Sequence, residues 1–462
     1  MQRSEHGFWL ADAGPVVSRP PLAGAANADV VVVGGGYLGM WTAWHLARAG
    51  ADVALVEKAV CGHGPSGRNG GFVETFWHRL GEMRRMFGDA PALELARAAA
   101  TTIDGIAAFC EAEGVDAHLV RAGRLDVAAA PGQEGAWDEE VAACRALGVA
   151  GEVTELDAVG ARALCDSPLF RSGALWHTAA TVHPARLALG LRERLLARGV
   201  RIFEHTAVVG LDDRADGVRV VTDGGGAVSA GCAVLAINQA SVGLAPLRRA
   251  LSVASSHVVA TEPVPDVLEA IGWTSGVGIA DCRTLLHYFR TTRDGRIVFG
   301  WGGGRMGFGA RGRAALDLDP GVQDAAASDL MMMLPQLRGR RIEHAWGGPI
   351  DVSPVHLPWF GTLRRTHYGF GFTGNGVGPA ELGGRILADL ARDERSPLTR
   401  LPIVGGLPPK RFPPEPLRFA GGSLIRAALV RHDDAEAAGT RLDPVTSLIA
   451  SLPRLLGMNL PR

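Results

Sequence analysis

Lysine is almost absent from this 462-residue chain. Lys58 and Lys410 are the only two, so arginine supplies nearly all of the 47 basic residues. With alanine and glycine so abundant, the bias reads as a GC-rich genome rather than a function, yet it leaves lysine chemistry only two positions. Net charge is missing too. A formal balance of −1, with 21% charged residues, gives no electrostatic reason to expect nucleic acid or an anionic membrane as partner. The six cysteines form no CxxC pair and no zinc-like spacing, so reduced thiols and no metal site are expected. No apolar run reaches transmembrane length. The N-terminal stretch, with Glu5, Trp9, Asp12 and several prolines, lacks a signal-peptide core. A cytoplasmic protein is predicted, monomeric or homodimeric, without membrane or nucleic-acid partners. No internal repeat is visible.

What is present is a nucleotide-binding fingerprint. Four valines at 30–33 run into Gly34-Gly35-Gly36-Tyr37-Leu38-Gly39, a helical pattern follows to Arg48, and a second apolar run at 53–56 ends in Glu57. Gly34 allows the tight strand-to-helix turn, Gly36 admits a pyrophosphate, and Gly39 lets helix and strand pack closely. The helix start offers unpaired N–H groups to phosphate. Glu57, about twenty residues on, suits an adenosine ribose, with Lys58 beside it. The alternative is a glycine-rich turn without ligand, but strand, helix, strand and acid together favour a dinucleotide site.

A loop dense in small residues follows, Cys61-Gly62-His63-Gly64-Pro65-Ser66-Gly67-Arg68-Asn69-Gly70-Gly71-Phe72. Helical patterns occupy 89–113, 133–147, 184–197 and 321–334. Short strands separated by Asp-Gly and Gly-rich turns fill much of 200–300. A last strand at 368–372 runs into Gly374-Asn375-Gly376-Val377-Gly378 and a helix over 379–392. A strand–turn–helix at each end around a β-rich middle predicts an α/β fold. A discontinuous Rossmann-like domain would take 28–90, 150–245 and 340–420. An inserted α+β substrate domain with a mostly antiparallel sheet would take 91–149 and 246–339. Residues 1–27 read as an arm, and 421–462 as a helical extension that packs on the first domain or forms a dimer contact.

At this point the chain resembles the D-amino-acid oxidase/glycine oxidase superfamily of FAD enzymes, most of all its γ-glutamylputrescine oxidase-like branch. The residues that carry the resemblance are 32–39, Ser66-Gly67-Arg68-Asn69-Gly70-Gly71, Val182-His183-Pro184 and Gly374-Asn375-Gly376-Val377-Gly378. It implies extended FAD, with Gly34, Gly36, Tyr37, Leu38 and Gly39 at the pyrophosphate and Glu57 and Lys58 at the ribose. Ser66, Gly67, Arg68, Asn69, Gly70 and Gly71 would run from the pyrophosphate toward the flavin. Val208 would meet adenine through its backbone. Gly374 to Gly378 would head a helix against the pyrimidine side of the ring, where a helix N-terminus stabilises anionic reduced flavin.

The departures bear on substrate. Glycine and D-amino-acid oxidases clamp the substrate carboxylate with an arginine shortly after a Trp-x-Gly strand. In Trp346-Gly347-Gly348-Pro349-Ile350-Asp351 that position is Ile350. An amine without an adjacent carboxylate fits better than an α-amino acid. Residues 352–356 hold no cysteine for the covalent link seen in sarcosine oxidase, so FAD is expected to be non-covalent. Residues 296–300 hold no lysine of the kind that speeds reaction with oxygen, so O2 or another acceptor is left open.

Tyr288, Arg290, Trp301, Trp346 and His356, with Arg305 and Asp351, are the candidate pocket residues, against sheet packing as the alternative. Residues 302–313 read as a basic lid for an anionic tail or as a surface loop. His63 and His183 read as structural. The resemblance implies hydride transfer from a primary or secondary amine to flavin N5, then imine hydrolysis to an aldehyde. The preferred amine would carry a remote polar or anionic group. Alternatives are a dehydrogenase or tailoring enzyme of the same fold, an amino-acid oxidase, a non-catalytic FAD protein, or an NAD enzyme.

Overall fold

Four consecutive valines place apolar side chains on both faces of a strand, which suits a sheet covered on both sides. In the computed structural model, which describes residues 1–309 and 314–455, the strand Ala25–Val33 lies inside a nine-stranded sheet. It pairs in parallel with Val53–Val56 on one side and with Ala227–Leu235 on the other. Arg201–Phe203 and Thr366–Phe370 extend the parallel run. Helices Tyr37–Arg48 and Val377–Ala391 cover one face, so close that a Cβ on Gly384 would stand 2.5 Å from the Trp41 side chain. The long helix Asp89–Glu113 packs beside them, with Phe109 edge-on to both Trp41 and Trp44 at about 5 Å.

A second nine-stranded sheet runs in the order Gln2–Arg3, Ile342–Val352, Ser252–Thr261, Ile297–Trp301, His287–Thr291, Gly278–Asp281, Arg124–Ala128, Ser172–Trp176, Val153–Asp157. Its two faces differ because side chains alternate along each strand. Outward, toward the helix Pro320–Met333, it shows Leu125, Ile279, Phe289, Phe299 and Trp301. Inward, toward the first sheet, it shows Val258, Val298, Tyr288 and Trp346, packed on Trp9 and Ala185.

The domain boundaries differ from those read in the sequence. Residues 91–113 pack with the first sheet, whereas 153–157, 172–176 and 342–352 are strands of the second. Periodicity finds an element but not the sheet it joins. The arm is more than a wrap. Gln2–Arg3 adds an edge strand, and Gly7–Ala13 is a helix between the two sheets, with Gly7 under the Trp346 ring. Residues 17–19 are held by the buried Arg192–Glu204 pair, through Val17 carbonyl and Arg19 N–H. The C-terminal extension begins earlier than expected, as the helix Leu417–Ala438, and it docks on the second sheet rather than the first. Its Arg426 donates to Gly303 and Gly304 carbonyls, and its Asp433 accepts from the Thr284 and Leu285 N–H groups. Among the described residues no helix is long and apolar enough to cross a membrane.

Candidate active site between the two sheets

The turn after Ala25–Val33 brings backbone close to a partner. Gly34 has φ +109°, and a Cβ on it would stand 2.3 Å from the Ala236 carbonyl oxygen; one on Gly39 would stand 1.9 Å from that of Gly34. Only glycine fits either place. The helix Tyr37–Arg48 starts at Gly36 without a side-chain cap, so most of its first N–H groups are left for an anion. The Tyr37 N–H donates to Ser66 Oγ at 2.8 Å, and Leu38 is buried behind it. Glu57 accepts from the N–H groups of Gly35 (2.8 Å) and Ala59 (2.9 Å). The Thr206 N–H bonds the Glu57 carbonyl at 2.8 Å, which brings the start of Val208–Asp213 alongside. Lys58 is exposed at this end.

In the loop that follows, Asn69 is an internal clamp. Its Nδ2 donates to the carbonyls of Pro65 (3.1 Å) and Ser66 (2.9 Å), and its Oδ1 accepts the Gly71 N–H (2.8 Å). Gly67 folds against the Gly62 carbonyl. Arg68 pairs with Asp317 at 3.1 Å and donates to the carbonyls of Glu5 and Gly347 through Nη1, tying the loop to the arm and the second sheet. Its Nη2 reaches the inner face of that sheet, 3.9 Å from where a Gly348 Cβ would stand. Asp317 comes from the short helix Ala314–Asp317, a partner invisible in the motif. Gly70 and Gly71 make room for that sheet. A Cβ on Gly70 would stand 2.6 Å from the Tyr288 ring, and one on Gly71 2.7 Å from Arg290.

The second glycine-rich head is set by a buried acid. Asp351 accepts from the N–H groups of Gly371 (2.5 Å) and Phe372 (3.2 Å), and its own carbonyl takes that of Thr373 (2.9 Å). Burial pushes its carboxyl up to about 7 despite these donors. Beyond this bracket come Gly374, Asn375 and Gly376, then the helix Val377–Ala391, again without a side-chain cap. Gly378 lies against the Glu74 carbonyl. Asn375 Oδ1 here, and Asn238 Oδ1 beyond the strand Ala227–Leu235, are buried without a partner among the described residues. Two orphaned amide oxygens, two uncapped helix starts and a glycine-cleared crevice suit an extended polar ligand that reaches from one head to the other.

Facing them, Tyr288 bonds Ser256 Oγ at 2.8 Å and lies flat over Gly300, where a Cβ would meet its ring at 2.1 Å. Burial pushes its phenol up to about 12. Ile350 pairs with Ala254 on the same face, its Cδ1 3.9 Å from where a Gly374 Cβ would be. Arg290 lies one row away. It donates to the carbonyls of Val182 and Gly71 and sits over the Trp9 ring at 5.5 Å, and burial lowers its pKa to about 9. Trp346 is wholly buried under the arm, and its Nε1 donates to the Arg68 carbonyl at 2.7 Å. His356 has φ +52°, its carbonyl accepts from Arg79, and burial with Arg79 nearby holds its imidazole neutral, near 3.

Trp301 does not join this group. Two residues on from Phe299, it points outward, donates to the Leu285 carbonyl at 3.0 Å and packs by His287. The strand's alternation removes it from the pocket.

The description "FAD dependent oxidoreductase" (DAO) matches residues 29–390. The chain belongs to this family. It is 29% identical to gamma-glutamylputrescine oxidoreductase of Escherichia coli (strain K12) over 431 residues, 92% of this chain and 95% of that one. Among solved structures it is similar to glycine oxidase from Geobacillus kaustophilus, with TM-score 0.68 and 20% identity over 83% of this chain and 99% of that one. L-proline dehydrogenase from P. horikoshii aligns with TM-score 0.66 and 18% identity over 82% and 96%. At such identity the two structures show the fold alone. The protein is therefore an FAD-dependent oxidoreductase.

Sequence reasoning missed a set of charged residues on the inner face. Arg124 binds Glu74 (2.6 Å) and Asp126 (2.7 Å), Trp176 Nε1 donates to Asp126 (2.9 Å), and His78 lies 4.0 Å from Glu74. Burial raises both carboxyls and depresses His78. The available signal was Arg124-Leu125-Asp126, charges at alternate positions of an otherwise apolar strand. The proposed lid lies partly outside the described residues, at 310–313. Its described part is pinned, with Arg305 paired to Asp319 and Met306 against Gly422.

Proposed function

We propose that this protein oxidises a primary or secondary amine with a remote polar group to an imine, using non-covalently bound FAD, and works in the cytoplasm. The observation that carries this reading is Ile350. It stands beside the Gly374 head, on the inner face near Tyr288, with no guanidinium in its place. An α-carboxylate on the reacting carbon would meet an aliphatic side chain, while Arg290 is turned to main-chain carbonyls. The cofactor residues proposed are Gly34, Gly36, Tyr37, Leu38 and Gly39 at the pyrophosphate, and Glu57, Lys58 and Val208 at the adenosine. Ser66, Gly67, Arg68, Asn69, Gly70 and Gly71 are proposed along the ring's approach, with Gly374, Asn375, Gly376, Val377 and Gly378 at its polar edge.

Bound FAD supplies the hydride acceptor. Everything else in the step is positioning and water exclusion. Tyr288 and Ser256 offer a fixed hydroxyl pair to orient the amine. Neither the Tyr288 phenol nor the His356 imidazole has a pKa suited to remove a proton near neutrality, and Asp351 is saturated by backbone donors. The amine therefore reacts as the neutral form, its ammonium proton left in bulk water before entry, because burial disfavours the charged form. Cysteine is missing from 352–358, and burial keeps Cys61, under Gly35, in its thiol form.

A dehydrogenase is the second reading, because the inner face of Ile297–Trp301 presents Val298 and Gly300 where a lysine would assist O2. The test is an anaerobic panel of amines scored by bleaching of bound flavin. Alkylamines with a remote polar group are expected to bleach it and α-amino acids not to; bleaching by α-amino acids alone sinks the proposal. Peroxide yield set against dye reduction separates oxidase from dehydrogenase.

A further inference from the structure

We infer that Glu74 and Asp126, held around Arg124, form a subsite for a second, non-reacting ammonium group, so that diamines are preferred over monoamines and over ω-amino acids. This rests on the amine-oxidising reading above and names the chemistry of the remote group. The location comes from strand register. Tyr288 pairs with Ala280, and Ala280 pairs with Asp126, all on the inner face. Asp126 is thus two strand spacings, about 10 Å, from Tyr288 along one row. Glu74 reaches the same place from the other wall. It follows the 61–73 loop, its carbonyl touches Gly378 in the first turn of Val377–Ala391, and nearby Phe72 is edge-on to Tyr288 at 5.8 Å. A short aliphatic chain spans the distance from the tyrosine to the acids.

Charge decides what binds there. Two carboxylates share one guanidinium, and His78, deprived of its proton by burial and by Arg124 and Arg79, adds nothing. Arg79 is spent on Glu82 and on the carbonyls of Val355 and His356. Arg290 is turned to the carbonyls of Gly71 and Val182. The subsite therefore carries a net charge of about −1. Its bonding is also incomplete. Among the described residues Glu74 Oε2 has only His78, at 4.0 Å. The side chains of Glu74, Arg124 and Asp126 are 16%, 11% and 13% exposed, neither sealed nor open to bulk water. An ammonium would donate to Glu74 Oε2 and neutralise the charge. A carboxylate drawn to Arg124 would meet both acids. The competing account is a purely structural clamp fastening residues 72–79 to the sheet.

The experiment compares anaerobic flavin reduction in the holoenzyme by 1,4-diaminobutane and 1,6-diaminohexane with that by butylamine, hexylamine, 4-aminobutanoate and 6-aminohexanoate. Specificity for the diamine is expected to exceed that for either equal-length partner by at least about tenfold. In Glu74→Gln and Asp126→Asn holoenzyme, with bound flavin verified by absorbance, the diamine-to-monoamine ratio should fall by about tenfold. A wild-type ratio near one, a preference for the ω-amino acids, or a ratio unmoved in both variants overturns the assignment. If no amine reduces the flavin, the oxidation reading fails, and calorimetry with 1,4-diaminobutane then decides the subsite. Binding that Glu74→Gln weakens supports it; absence of binding overturns it.

Discussion

The two faces of the second sheet are built from the same strands, one residue out of step, and they have opposite characters. Outward, Phe289, Phe299 and Trp301 pack on the helix Pro320–Met333, and the charged groups among them are paired within the chain. His287 sits between Asp281 (2.7 Å) and Asp329 (3.0 Å), joining strand to helix. Burial works against its charge, but the two carboxylates prevail and lift it to about 9. Inward, Tyr288 and the Glu74–Arg124–Asp126 group are only partly satisfied, and glycines at 70, 278 and 300 clear space around the rings. A face covered permanently by its own chain can pair its buried charges within the chain. A face that must admit cofactor and substrate keeps some of its valences for them.

Breaking the outer face should cost stability and spare chemistry. Phe299→Ala removes a fully buried ring in contact with Phe289 and His287, and is expected to lower unfolding free energy by about 3–5 kcal/mol. Flavin reduction per folded holoenzyme should be unchanged; chemical denaturation and stopped-flow absorbance check the two halves. The His287 charge gives the next effect. Its folded pKa lies above the unfolded value near 6.5, so its stabilisation is full below that value and is lost as pH rises through about 9. Denaturation midpoints measured from pH 6 to 10 should fall in the wild type and stay flatter in His287→Gln. A wild-type slope that persists in that variant assigns the effect elsewhere. The smallest effect belongs to the inner face. Tyr288→Phe loses one hydroxyl and its bond to Ser256, costing about 1 kcal/mol of stability while slowing anaerobic flavin reduction by about tenfold. Equal losses in Tyr288→Phe and Phe299→Ala, in either readout, would erase the distinction between the faces.

Much of the first sheet is legible along the chain because its signals are local. Four valines, the Gly34–Gly39 turn and Glu57 lie within one strand–helix–strand unit, where Gly39 closes on the Gly34 carbonyl and Glu57 on the Gly35 N–H, although Gly34 also meets Ala236 from a distant strand. The hairpin at Arg293–Gly295 is equally local: Gly295 has φ +79° between antiparallel strands. The substrate side is less legible. Tyr288 and Trp301 look alike in sequence, as aromatics on adjacent strands, and only the phase of each strand against its neighbours sends one inward and the other outward. Arg68 stands in a local motif, and only the fold shows that Asp317, far along the chain, pairs with its guanidinium.

The motifs along the chain sufficed for the resemblance to the family and its cofactor, and for the isoleucine at 350, because residue identity and spacing need no distant partner. Which side chains face the cavity, and that Glu74 meets Arg124 and Asp126 across 50 residues of chain, came from the folded structure alone. A strand's register and a buried charge's partner are set by long-range packing, and no local pattern carries that information.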